Sequence, residues 1–428
     1  MNYQIEKKGD VFYALNFRFE PEDIRGEIEK VCTEIGKTAK VPGFRPGKAP
    51  VNIIKKYYRE TIREHLMAGF VLEKVKEVLE KENLNLVSEP AVEDVSLDLD
   101  GNAMEVSIVV EVKPEIELSR EDYAGIKVRK TAREITDADV DKVVEGLRNQ
   151  AVVWKEVDRE ARAGDLVELE YTTTTEGKEP QKGTTSIVLG QKQLWQEIEE
   201  NILGKKAGYT GTAVVKLSEG KEAKVDFTVK SIKEKELPEV NDEFAKRFGF
   251  ESVDEMRKKI REDLEVAEET KKQEEIEEQI VSTILKKVKV PVPPSLLALE
   301  VRAQVEAQLS NLARFGIAPS QVNPETLSQI VGPLAEKTVK VKLLLEKVAE
   351  LEDIKVSDED VEQEVQRLAD TAFNGDYVKA RQSLESKGLM NMVRLDILRQ
   401  KALDRLIELA EIETVSEESQ REPEQEQG

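Results

Sequence analysis

The stretch VPGFRPGKAP at residues 41–50 gathers residue types suited to recognition rather than catalysis. Arg45 and Lys48 offer charge-assisted hydrogen bonds to phosphates or carboxylates, and Phe44 offers a flat apolar anchor. Pro42, Pro46 and Pro50 fix φ, while Gly43 and Gly47 permit tight turns. The pattern predicts a stiff tip that loses little entropy on docking. Residues 37–59 carry Lys37, Lys40, Arg45, Lys48, Lys55, Lys56 and Arg59 and no acid, in a chain of 65 Lys and Arg against 87 Asp and Glu, net −22. Composition alone is equally consistent with an ordinary solvated loop.

The rest of the inventory excludes most side-chain catalysis. His65 is the only histidine, lies in a helical pattern and reads as a helix-surface residue. Cys32, the only cysteine, falls at a mostly apolar helix position and reads as a packed thiol, so no internal disulfide can form. A Ser–His–Asp triad or a His-rich zinc site lacks its material, and no GxGxxG, P-loop or EF-hand loop occurs. No catalytic residue, metal or cofactor is expected. No run of 18 apolar residues is present, and the start MNYQIEKKGD has no apolar signal core. The expected compartment is the cytoplasm, with no membrane partner. A net charge of −22 argues against a surface that grips DNA.

The elements that position this loop are legible from periodicity. VFYALNFRFE alternates as a strand, and Ile24, Ile28, Val31 and Ile35 mark the apolar face of a helix that leads into the loop. A second helical pattern runs from about Val51 to Lys81, followed by two strands around the turn DLDGN. These make a small α+β domain over residues 1–113. A linker and helix follow at 114–149, with Thr136 as N-cap ahead of Val140, Val143, Val144 and Leu147. Residues 150–237 turn to β: four strand-like runs interrupted by one short helix, QLWQEIEENILG. Residues 238–428 are helical, with an apolar stripe at Ile276, Ile280, Ile284 and Val288, a further cap at Ser357, and an acidic tail from about 412 expected to be disordered. The fold class is multidomain α+β: a small α+β domain, a β-sheet domain with one short helix, and an elongated all-α C-terminal domain.

The motifs GFRPGKAP, VVWKEV, ELPEVNDEFAKRFGF and KVPVPPSLLALEV, in this order over nearly the whole chain, resemble the bacterial trigger factor family. The resemblance implies a ribosome-binding N-terminal domain docking through Gly43, Phe44, Arg45, Pro46, Gly47 and Lys48, an FKBP-type peptidyl-prolyl isomerase domain, and a helical chaperone domain. It implies ATP-independent holding of nascent or newly made chains beside the exit tunnel. The implied partners are the ribosome (tunnel-exit protein and rRNA), unfolded polypeptides and, away from the ribosome, a weak homodimer. Pro46 stands where family loops often carry a cation.

The middle domain departs from the family pattern. VLGQKQLWQEIEENILGKKAG keeps the frame Val188, Leu189, Gly190, Gly204 and Gly208. Gln196, Glu197, Ile198 and Glu199 replace the pocket core PGFE, so the floor aromatic becomes Ile198 and two acids stand near it. Pro180 stands where a phenylalanine is expected, and the flap shortens to LSEGKEA. Tyr171, Leu194, Trp195 and Phe227 remain as wall candidates; plain core packing explains them equally well. Isomerase activity is therefore expected to be weak, the alternative being an active peptidyl-prolyl isomerase acting on proline-limited folding.

Overall fold

The computed structural model describes residues 2–45, 47–175, 179–191, 195–216 and 222–416. Strands β1 (Asn2–Lys7), β2 (Phe12–Phe19), β3 (Ala91–Asp98) and β4 (Ala103–Glu111) form an antiparallel sheet in the order β1-β2-β4-β3. The alternation predicted three of these. β1 went unread because NYQIEK sets only Tyr3 and Ile5 against the core, too few for a pattern to stand out. Helix α1 (Pro21–Thr38) starts with proline in its first turn and a reciprocal Glu20–Asp23 capping box, and it buries Ile24, Ile28, Val31, Cys32 and Ile35. The helix expected over Val51–Lys81 is instead α2 (Val51–Tyr57), α3 (Arg59–Leu66), a π turn (Met67–Val71) and α4 (Leu72–Lys81). Its break falls at Tyr58, whose hydroxyl binds the backbone of Lys40 at the base of the loop.

The chain divides into two compact units: the first 130 residues together with Glu274–Thr414, and Thr131–Gln273. In the first, α5 (Arg120–Tyr123) and β5 (Lys127–Ala132) follow β4. The connector is not a free linker: Ile116, Tyr123, Ile126 and Val128 are buried in one core with Ile276, Ile280, Ile284 and Val288. The Tyr123 hydroxyl donates to Glu352 at 2.7 Å.

The second unit holds α6 (Asp137–Gln150), β6 (Val153–Glu156), β7 (Leu166–Thr175), β8 (Gln181–Val188), α7 (Gln196–Ile202), β9 (Thr210–Lys216), β10 (Glu222–Glu236), α8 (Asp242–Arg247) and the start of α9 (Val253–Lys287). β10 is 15 residues long, enough to pair β9 with its first half and β6 with its last residues along one side. Its other side pairs β7, which pairs β8. Val140 and Val144 of α6 pack with Phe244, Met256 and Ile260 in a separate core.

Helices α10 (Pro294–Arg314), α11 (Pro324–Leu351), α12 (Asp358–Ala372), α13 (Tyr377–Ser386) and α14 (Met390–Leu409) complete the first unit. The expectation of disorder from about 412 is corrected for its first residues: Glu411–Ser416 forms β11, paired with β5, while 417–428 lie outside the described residues. The acidic composition hid the alternation of Ile412 and Thr414 with Glu411 and Glu413, and the partner strand lies far away in sequence.

Candidate functional site

The loop between α1 and α2 is tied at several points. The Gly47 N–H donates to Gly36 O at 3.0 Å, Phe44 N–H to Val41 O at 3.1 Å and Lys48 N–H to Arg45 O at 2.9 Å. The Tyr58 hydroxyl accepts from Lys40 N–H at 2.9 Å and donates to Lys40 O at 3.1 Å. Gly43 and Gly47 sit at φ 84° and 81°, where a side chain would be strained. Val41 is buried as the loop's anchor, while Phe44 is 41% exposed at the tip. The Phe44 ring therefore stays in contact with water at the end of a hydrogen-bonded loop. Pro46 lies outside the described residues.

The cations of the acid-free run divide into two groups. Lys55 donates to Leu99 O and Asn102 Oδ1, and Arg59 donates to Leu97 O, so both hold the β3–β4 hairpin against the helices. Lys37, Lys40, Arg45, Lys48 and Lys56 are exposed and, among the described residues, make no ion pair. Tyr57 is a further candidate that residue types alone did not single out: it is exposed on α2 while Tyr58 turns inward. The signal was present in the sequence as a second aromatic within the basic run.

In the middle domain one row crosses four strands: Gly183 of β8, Tyr171 of β7, Phe227 of β10 and Gly211 of β9 are successive partners. Both rings lean outward over the glycines. A Cβ on Gly183 would come within 2.7 Å of the Tyr171 hydroxyl, and one on Gly211 within 2.6 Å of the Phe227 ring. Tyr209 packs on Phe227 at 6.3 Å between ring centroids. Phe227 is buried and Ile198 is 1% exposed, both inside the core of this sheet, with Tyr171 and Trp195 half-buried against it. Leu194 lies outside the described residues. The floor position is thus a filled aliphatic core site, and the surviving wall candidates share one cluster with it.

Glu199 is buried, and its Oε2 accepts the Gly190 N–H at 3.0 Å just after β8. Glu197 is solvent-exposed, and Pro180 is exposed just before β8. Nothing in this group forms a general acid–base pair; what it offers a substrate is apolar wall.

A further candidate surface lies on the helices, whose faces the sequence could not assign. α10 and α11 pack side by side, joined by Lys342–Glu300 at 2.6 Å and by Gln304–Thr338. On α11, Val331, Ala335 and Val339 are buried, whereas Ile330 and Leu334, one turn apart, face solvent. Leu299 and Phe315 of the same hairpin region are exposed too, Phe315 by 84%. Among the described residues, no helix is long and apolar enough to cross a membrane.

Comparison with known proteins identifies the family. The family described as "Bacterial trigger factor protein (TF)" matches residues 1–147, and "Bacterial trigger factor protein (TF) C-terminus" matches residues 252–408. The trigger factor of Aquifex aeolicus (strain VF5) is 31% identical over 424 residues, covering 96% of this chain and 87% of its own. That of Tolumonas auensis (strain DSM 9187 / NBRC 110442 / TA 4) is 30% identical over 426 residues, covering 96% of each. A solved chain described under "Promiscuous Substrate Recognition in Folding and Assembly Activities of the Trigger Factor Chaperone" aligns over 95% of this chain and 99% of its own, with a TM-score of 0.48 and 20% identity. With paired N- and C-terminal family matches and relatives similar along nearly its whole length, the chain belongs to the bacterial trigger factor family.

Proposed function

We propose that this chain is an ATP-independent chaperone that docks beside the ribosomal exit tunnel through Phe44, Arg45 and Lys48, with Gly43, Pro46 and Gly47 shaping the loop and Tyr57 beside it. The observation that carries the reading is Phe44, exposed at the tip of a tied loop and flanked by cations without ion-pair partners among the described residues. A stiff aromatic tip seats in an apolar recess, while the cations meet rRNA phosphates or acidic side chains with little ordering cost. Nascent chains then meet the apolar positions of the helices, above all Leu299, Ile330 and Leu334. Many weak contacts on one body raise avidity through effective concentration, so no nucleotide cycle is needed for release.

The middle domain, in this reading, is an FKBP-type fold of weak isomerase activity. Rotation about an X–Pro bond, with a barrier of roughly 18–20 kcal/mol, is accelerated by enclosing the twisted imide in an apolar, water-poor pocket. Ile198 supplies no aromatic floor and Phe227 is consumed by core packing, leaving Tyr171 and Trp195 as partial walls.

The test is co-sedimentation with ribosomes. Phe44→Ala combined with Arg45→Ala is expected to weaken binding more than about tenfold, about 1.4 kcal/mol, with an unchanged circular dichroism spectrum. Undiminished sedimentation of the double variant would remove the loop from the docking mechanism.

A further inference from the structure

Helix α11 carries a proline in its interior. The sequence IVGPLAEK sets Gly332 and Pro333 directly after the leading turns of the helix, Pro324–Val331. Pro333 has no N–H, so the Gln329 carbonyl loses its bond from the next turn, and the ring crowds that carbonyl. Gly332 is not there to let a neighbour approach: a Cβ built on it would meet nothing within 4 Å outside its own helix. The chain itself supplies the reason. The residue before a proline is driven out of the α region by contact between its Cβ and the ring, and glycine removes that contact. Glycine and proline are also the two residues that a helix interior holds least well. Side by side they make a place where α11 bends at low cost.

What α11 touches changes at this pair. After it, Thr338 meets Gln304 of α10 at 3.3 Å, Lys342 meets Glu300 of α10 at 2.6 Å, and Lys337 meets Glu278 of α9 at 2.6 Å. Glu346 is held by Arg399 of α14 at 2.5 Å, and Val339, Leu343, Leu344 and Val348 lie in the core of the unit. Before it, the described side-chain bonds of Pro324–Val331 stay at the helix's own start: Glu325 N–H donates to Asn323 Oδ1, and the Ser328 hydroxyl donates to Pro324 O. Of Pro324–Val331, Val331 is buried, Leu327 and Ser328 are half-buried, and the others are exposed.

The helix also sets the direction of bending. Val331, Ala335, Thr338 and Lys342 form one stripe, of which the first two are buried and the last two bond α10. Pro333 is exposed and lies two residues from both Val331 and Ala335, about 200° around the helix. The missing hydrogen bond is therefore on the face opposite the stripe. Opening and closing that outer face carries the leading turns toward or away from α10 rather than sideways.

We infer that Gly332–Pro333 is a hinge, and that Pro324–Val331 is a strap that swings against α10 while the rest of α11 stays fixed. Ile330 rides on the strap and Leu334 on the fixed part, so each swing changes the spacing of two exposed apolar side chains. The use of the hinge, fitting that surface to chains of different shape, rests on the reading of this protein as a holder of unfolded polypeptide. The hinge itself does not.

The experiment uses the full chain and begins with amide hydrogen exchange of the strap. Pro333→Ala restores the missing bond and is expected to slow exchange there about tenfold or more. Gly332→Ala alone sets a Cβ against the retained ring and is expected to give no slowing, although alanine is the better helix former. The second measurement is the distance distribution between spin labels at Glu306→Cys and Gln329→Cys, both exposed positions. Cys32 is buried, with its thiol pushed up by burial, and takes no label. The distribution is expected to be broad, and to narrow on Pro333→Ala; a pair at Ala298→Cys and Glu350→Cys, on the fixed part, is expected to be narrow in both. Equal slowing by the two single alanine substitutions would reduce the effect to helix propensity and overturn the hinge. So would a strap distribution that is narrow from the start, or one that Pro333→Ala leaves broad. A permanently unfolded polypeptide is expected to shift the strap distribution when it binds. Binding without a shift would overturn the use of the hinge in holding clients, and absence of binding would overturn the client reading while the exchange result still decides the hinge.

Discussion

Glu111 links the domain bearing the loop to the helix that opens the exposed hairpin, and its removal has a calculable effect. The residue ends β4 and is only 7% exposed. Its Oε1 accepts the Ser295 N–H at 2.9 Å and its Oε2 accepts the Ser88 hydroxyl at 2.9 Å. α10 has no cap of its own, since Pro293 occupies the N-cap and Pro294 the first turn. A carboxylate from another part of the unit therefore satisfies an N-terminal donor and lies at the positive end of the helix dipole. Losing a capping side chain costs about 0.5–2 kcal/mol, and an orphaned partner adds to it. Glu111→Ala should thus destabilise the first turn of α10 by about 1–2 kcal/mol, and amide exchange of residues 295–298 in the full chain should accelerate by roughly 5–30-fold. Ser295→Ala is the control. The Ser295 hydroxyl is buried without a hydrogen-bond partner among the described residues, whereas the bond to Glu111 uses the backbone, so exchange should stay the same or slow. Unchanged exchange in Glu111→Ala, or equal acceleration in Ser295→Ala, would refute the cap. If the cap holds, the orientation of the hairpin follows that of the loop domain. Lys113–Glu346 at 2.5 Å and Glu346–Arg399 at 2.5 Å continue the same clamp into α11 and α14.

Three further outcomes are expected. Ile330→Lys with Leu334→Lys should leave thermal unfolding nearly unchanged, because both side chains are exposed, yet reduce suppression of aggregation of a denatured client several-fold; full suppression would move the client surface elsewhere. Ile198→Phe should not restore isomerase activity on an X–Pro peptide, and should cost about 1–3 kcal/mol by overpacking a filled site, read as a lower unfolding temperature; a gain in rate without loss of stability would show an open pocket floor. In the capping boxes, hydrogen bonds from the Thr136 backbone and hydroxyl hold the Asp139 carboxyl at about 2, and the Lys401 ammonium with the Ser357 backbone and hydroxyl does the same for Asp360. Both lie below the ordinary value of 3.8, so their stabilisation is fully present above that pH and is lost as acid takes the solution down toward about 2. Asp139→Asn with Asp360→Asn should flatten the acid side of the stability profile, measured by chemical denaturation between about pH 5 and 2.

What the sequence made legible was local. The stripe of Ile24, Ile28, Val31 and Ile35 declared its helix because burial follows the 3.6-residue period, and all four are buried. The stiffness of the loop followed from proline and glycine, whose backbone preferences do not depend on their surroundings. What escaped depended on distant partners. The division of the basic run is invisible in composition, because Lys55 and Arg59 are claimed by carbonyls of the β3–β4 region about forty residues onward. β11 became a strand because β5 offers it an edge. The helix breaks at Tyr58, whose hydroxyl bonds the backbone of a loop residue eighteen positions earlier.

Glu199 shows the same limit in the site itself. Read by type, a glutamate beside a degenerate pocket is a charge that repels a proline substrate. Read by place, it is buried and accepts the N–H of Gly190, which sits at φ 90° just after β8. The middle domain thus combines a directional hydrogen bond at Gly190 with aliphatic packing at Ile198, the expected floor position. Frame and floor answer to different physics. The first is a directional bond that tolerates no substitute nearby, and the second is a volume that any apolar side chain of suitable size can fill.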